Sequence, residues 1–211
     1  MAICLTCGEQ SENHIGMEMN GSGLAEEGFT NLELSSIHSK LNDLNIPNNL
    51  INLNDYLSEE ENEGCEEASI LLIKGGVNSL FKHYNYDKTS QDMLEEQLDL
   101  EWDKTFWDIR RKKVLNKRAR YNLCYGVEEQ TPDMENKKGT IIAYKNIPIT
   151  NKWKECLSII FGEKARDLEM EGNYYYNIKK CGIGFHGDGE RKKVIAASLG
   201  ETRPIHWQWY H

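Results

Sequence analysis

The chain has 211 residues, 39% of them hydrophobic, and a formal net charge of −9. That balance excludes a protein that coats nucleic acid over its whole surface, since such binding needs many cations to neutralise phosphates, although a local basic patch stays open. No apolar run nears the roughly 18 residues of a membrane span. Residues 1–8 are too short and too uncharged for a secretory signal. No membrane partner and an intracellular location, cytoplasmic or nuclear, are therefore expected.

Taken in order, the first feature is the pair Cys4 and Cys7, with His14 seven residues on. A zinc site needs a second pair at suitable spacing, and Cys65, Cys124, Cys156 and Cys181 are scattered, so reduced thiols are expected. Thr30 and Glu33 have capping-box spacing. Leu34, Ile37, Leu41 and Leu44 follow at helical intervals. Residues 42–67 are rich in Asn and then Glu, and read as a solvated connection, most acidic and mobile near 55–67. Residues 68–73 form a short apolar run that ends at Gly75-Gly76, the pattern of a strand and a turn.

Thr89 and Asp92 suit a helix start, and Leu94, Leu98, Trp102, Phe106 and Ile109 then line one face of a predicted helix. That helix would run into Arg110, Arg111, Lys112 and Lys113, with Lys117, Arg118 and Arg120 continuing the basic stretch. Such a run is either a solvated helix end or a phosphate-contacting patch. Residues 140–144 are strand-like. Trp153, Cys156, Leu157, Ile160 and Phe161 make an amphipathic helix closed by Gly162. Beyond Asn173 the pattern turns to strands, at residues 174–176, 193–199 and 205–210. In the last, Ile205, Trp207 and Trp209 alternate with His206, Gln208 and Tyr210.

The segment with chemical content is Gly182-Ile183-Gly184-Phe185-His186-Gly187-Asp188-Gly189-Glu190-Arg191. His186 and Asp188 form an H-x-D pair, placed by the pattern at a strand end, where residues i and i+2 face the same way. With one distant His, such a pair makes the facial triad of non-haem Fe(II) oxygenases, which leaves positions open for a bidentate oxo acid and O₂.

Its surroundings carry more. Asn173-Tyr174-Tyr175-Tyr176-Asn177 precedes the pair, and Ser198-Leu199-Gly200 follows it. Over residues 139–211 the chain resembles the AlkB-like Fe(II)/2-oxoglutarate-dependent dioxygenases. The resemblance implies that His186 and Asp188 ligate the metal. It also implies that Asn173 and Tyr175, with Tyr176 as a competing tyrosine, help hold 2-oxoglutarate. The implied activity is oxidative demethylation or hydroxylation, coupled to decarboxylation of 2-oxoglutarate to succinate. Its usual substrate would be alkylated DNA or RNA, whose damaged base leaves the stack. Trp207, Trp209 and the basic stretch are the features that could meet that partner.

The implied fold is α+β. A small mixed α/β region, residues 1–85, would precede a partial double-stranded β-helix, the jelly-roll-like oxygenase domain, over residues 86–211. The family places its second metal His, and an Arg that pairs with the 2-oxoglutarate carboxylate, several strands after the H-x-D. Here 23 residues follow Asp188. His206 and His211 lie too near it to cross a barrel, and Arg203 sits in a turn-like Glu-Thr-Arg-Pro. The C-terminal part of the domain is therefore expected to be missing. The alternative is a catalytically inactive nucleic-acid- or protein-binding module with a vestigial half-barrel. A hydrolase using His186 and Asp188 lacks a nucleophile in any recognisable motif.

Overall fold

A computed structural model describes residues 1–21 and 23–209 of the chain. In chain order its elements are β1 (Ala2–Gly8), β2 (Ser11–Glu12), β3 (Met19–Asn20), α1 (Asn31–Asp43), β4 (Asn48–Asn52), α2 (Glu59–Asn62), β5 (Ser69–Ile73) and α3 (Gly76–His83). Then follow α4 (Ser90–Leu98), β6 (Thr105–Asp108), β7 (Lys113–Asn116), β8 (Tyr121–Gly126), β9 (Ile141–Ala143), α5 (Pro148–Phe161), β10 (Glu169–Tyr175) and β11 (Ile195–Gly200). The class is α+β, as expected. None of the helices is long and apolar enough to cross a membrane.

One five-stranded sheet, in the order β11-β1-β10-β8-β9, organises the molecule. All its pairings are antiparallel except β8 with β9. Among the described residues the sheet is open and forms no closed barrel. The first strand of the chain sits between β10 and β11. The expected boundary at residue 85 therefore runs through one sheet and does not separate an N-terminal region from the rest.

Strand alternation sends Ile3, Leu5 and Cys7 of β1, Leu123 and Tyr125 of β8, and Met170 of β10 to one face, where all are fully buried. Helices α1, α3, α4 and α5 cover that face and share its core through Leu41, Phe81, Met93 and Trp153. Local signals set the helix ends. The capping box of Thr30 and Glu33 starts α1. Pro148 opens α5, and the Glu96 carboxylate takes the Ile149 and Thr150 amides at 2.8 Å. Gly162 closes α5 with φ of 77°, a value costly for any other residue.

Two expectations need correction. The helix predicted through Ile109 stops at Leu98, and residues 105–116 form the hairpin β6–β7. The Trp102 indole donates to the Gln97 carbonyl at 2.9 Å, beside the Asp99 and Leu100 amides that also turn to it, and so fixes the exit of the chain. Apolar spacing of four mimicked a helix across a segment of aromatic and β-branched residues that pairs as strands. The second case is 42–67, which contains β4, paired to β5. Its asparagines make structure instead of solvating a loop. Buried Asn54 bonds Asn62, the Glu66 carbonyl and the Ala68 amide.

Candidate metal centre on the polar face of the sheet

The opposite face of the same strands is polar. Register aligns Ser198, Cys4, Asn173 and Asn122 in one row across β11, β1, β10 and β8, and Ala196, Thr6, Glu171 and Cys124 in the next. Along β10, Glu171, Asn173 and Tyr175 share this face because they are two residues apart.

A chain of side chains runs over these rows. Lys117, only 7% exposed, turns its Nζ to Asn13 Oδ1 at 2.6 Å, the Asn13 carbonyl at 2.9 Å and Asn122 Oδ1 at 2.8 Å. With its oxygen so engaged, Asn122 turns its Nδ2 to Asn173 Oδ1 at 2.8 Å, and Arg120 Nε donates to the same oxygen. Asn173 Nδ2 then donates to Glu171 Oε1 at 3.1 Å. Glu171 Oε2 meets Arg191 Nη2 at 3.0 Å. Beside this chain, the Asn13 amide reaches Asp103 Oδ2, whose carboxylate also takes the Thr140 amide and hydroxyl. Burial pushes the Lys117 pKa down to about 7, against the pull of the Asp103 carboxylate. Burial likewise pushes the Cys7 and Cys124 thiols up to about 12.

Arg191 carries the network to the H-x-D pair. Its side chain is 2% exposed, and its Nε stands 3.3 Å from Asp188 Oδ2. Glu190 is a further ion-pair partner. Desolvation opposes the guanidinium's charge, but the surrounding carboxylates outweigh it and raise its pKa. The stem of Arg191 lies over Gly8, where a Cβ would come within 2.8 Å of it, so glycine is needed there. Glu9 fixes the same limb by accepting the Lys192 and Lys193 amides.

His186 Nε2 is 3.3 Å from Asp188 Oδ1. His186 Nδ1 lies 2.7 Å from the Gly184 carbonyl oxygen. A carbonyl only accepts, so Nδ1 carries a proton and the neutral ring has its lone pair on Nε2. Two acceptors then face each other, and a proton or a metal ion between them would satisfy both. Two metal bonds of roughly 2.1 Å at a right angle would put their donor atoms about 3 Å apart. The pair therefore fits two adjacent positions on a metal ion.

The structure thus brings His186 and Asp188 together, although from the 181–190 loop and not from a strand end. It sets Asn173 and Tyr175 on the same sheet face. Arg203 lies over the Tyr175 ring, 3.7 Å from its centroid. Tyr176 follows the strand and stacks on Tyr121 at 4.3 Å, with its hydroxyl on the Arg118 carbonyl. Among the described residues no third His, Cys, Asp or Glu completes a metal-binding group. His206 is exposed, its ring edge-on to Phe185 at 6.5 Å. His211 lies outside the described residues, as does Tyr210. Residues 205–209 form no strand. Cys4 and Cys7, three apart on β1, point to opposite faces, and all six thiols are free.

The basic stretch divides. Arg110, Arg111, Lys112 and Lys113 are exposed at the tip of the β6–β7 hairpin and Arg118 is exposed beyond it, while Lys117 turns inward. Sequence reasoning missed Lys117, Asn122, Glu171 and Arg191. The one signal available was the polar alternation Glu169, Glu171, Asn173, Tyr175.

No family model matches the chain, and no solved structure matches it. It is similar to the uncharacterized protein R156 of Acanthamoeba polyphaga mimivirus, with 37% identity over 208 residues, 99% of this chain and 78% of that protein. The chain belongs to the R156 family. Nearly every element described above falls within the span that this chain and R156 share.

Proposed function

We propose that this member of the R156 family is an Fe(II)/2-oxoglutarate-dependent oxygenase of the AlkB-like kind, acting on alkylated nucleobases. The observation that carries the reading is the meeting of His186 Nε2 and Asp188 Oδ1 at 3.3 Å, with Nδ1 engaged by Gly184. Fe(II) with 2-oxoglutarate and O₂ would supply oxidation of an N-methyl C–H bond, one oxygen atom going to succinate and the other to formaldehyde, with CO₂ and the demethylated amine as the other products. The chain's own residues bind and orient. His186 and Asp188 would hold the metal. Asn173 has one amide hydrogen left after its bond to Glu171, and with Tyr175 on the same face it would meet the oxo acid. In this reading the open sheet is one wall of a partial double-stranded β-helix. The exposed cations of the β6–β7 hairpin would take phosphates, and exposed Trp207 would offer a stacking surface.

The reading is tested by adding Fe(II) and 2-oxoglutarate to the chain without oxygen and recording visible absorption. A charge-transfer band that disappears in His186→Ala and Asp188→Ala is expected. The absence of any His186-dependent band, with salt-sensitive binding of an oligonucleotide retained, would leave a nucleic-acid-binding module with a vestigial half-barrel.

A further inference from the structure

We infer that Arg191 is a positioning residue for the H-x-D pair: held by Glu171 and Glu190, its guanidinium pairs electrostatically with Asp188 Oδ2 and leaves Oδ1 facing His186 Nε2, where the two would share a divalent cation. This rests on the metal reading above and extends it to a side chain that touches no metal.

Three observations support it. The distances form an unbroken path, with Glu171 Oε2 to Arg191 Nη2 at 3.0 Å, Arg191 Nε to Asp188 Oδ2 at 3.3 Å, and Asp188 Oδ1 to His186 Nε2 at 3.3 Å. Exposure rises outward from the sheet, from 11% at Glu171 and 2% at Arg191, both buried, to 27% at Asp188 and 48% at His186. The rigid end is in the sheet, and the end that would meet a cation is at the surface. Finally, Arg191 Nε and Nη1 are buried with no hydrogen bond among the described residues. The guanidinium therefore keeps donor capacity for a carboxylate that shifts a few tenths of an ångström. A planar fork suits this task better than an ammonium.

Removing Arg191 alone makes the site more negative, so simple attraction would tighten metal binding; removing Arg191 and Glu171 together leaves the net charge unchanged, so weaker binding then reports lost positioning.

The test is titration of the full chain with Mn(II), followed by the electron paramagnetic resonance signal of the free ion. Wild type should bind one Mn(II) that His186→Ala loses. Arg191→Gln strands the buried Glu171 carboxylate beside Glu190 and endangers folding, so the decisive variant is Arg191→Gln with Glu171→Gln, which removes one charge of each sign and leaves Glu190 in place. With circular dichroism unchanged, that double variant should bind Mn(II) about 10- to 100-fold more weakly, the usual effect of losing a residue behind a ligand. Affinity equal to or tighter than wild type would overturn the role of Arg191 and leave the metal site standing. No His186-dependent Mn(II) binding in wild type would remove both.

Discussion

The two faces of the central sheet come from the same strands and are held by different forces. On one face Ile3, Leu5, Leu123, Tyr125 and Met170 are fully buried under helices. On the other, residues one step along the same strands, Asn122, Asn173 and Glu171, are joined by hydrogen bonds to Lys117 and by an ion pair to Arg191. Burying apolar area stabilises without regard to direction. A buried ammonium or guanidinium with its partners is weak evidence for stability, since desolvation consumes much of the attraction. The helix-covered face explains why the chain folds. The polar face is a costly arrangement that specifies the orientation of each side chain, and it leads to His186 and Asp188.

The comparison can be broken from either side. The largest expected effect lies on the helix-covered face. Trp153→Ala in α5, at 3% exposure, should destabilise by about 3–5 kcal/mol in urea unfolding, as large-to-small core changes do. A loss below about 1 kcal/mol would mean that the helices contribute less than claimed.

Next is the hairpin outside both faces. Replacing Arg111, Lys113 and Arg118 by Glu should abolish salt-dependent binding of a short oligonucleotide, lowering the slope of log affinity against log salt by about 2–3. Unchanged binding would assign these cations to solvent.

On the polar face, Lys117 predicts a pH signature. Its pKa falls from the usual 10.5 to about 7 on folding, so between those values the unfolded chain holds a proton that the folded one lacks. Stability from this group is therefore full above 10.5 and is lost as pH falls toward 7. Urea midpoints measured from pH 7 to 10 should rise more steeply in wild type than in Lys117→Met. Equal slopes would show that the amine stays protonated in its ring of three oxygens.

The smallest effect is local. Thr30→Ala should cost about 1 kcal/mol by removing the cap of α1, with metal binding untouched.

Which of these features could be read in the sequence follows from how far apart the interacting residues lie. The cap at Thr30, the stop at Gly162 and the strand 69–73 are set by neighbours a few residues away, and the spacing of residues shows them. The H-x-D pair is as local, and its convergence was expected, although the loop and not a strand end supplies it. Glu171 and Arg191 are 20 positions apart, and Lys117 meets Asn13 across 104. Their meeting depends on β1 entering the sheet between β10 and β11, a register that no short window reveals. Lys117 looked like one more cation in a basic run, and only the fold separates it from its exposed neighbours. The helix predicted through Ile109 failed for the converse reason. Its apolar spacing was real, but cross-strand pairing with residues 113–116 and the Trp102 bond to Gln97 decided the structure.

On the function proposed above, the polar face ends in a cation site at His186 and Asp188. Paramagnetic line broadening of the amide resonances by substoichiometric Mn(II) tests it most directly. Residues 184–191 should broaden first and 171–175 next, with 148–161 on the opposite face spared and the pattern erased by His186→Ala. Broadening centred on the acidic Glu59–Asn62 helix, or unchanged in that variant, would contradict it.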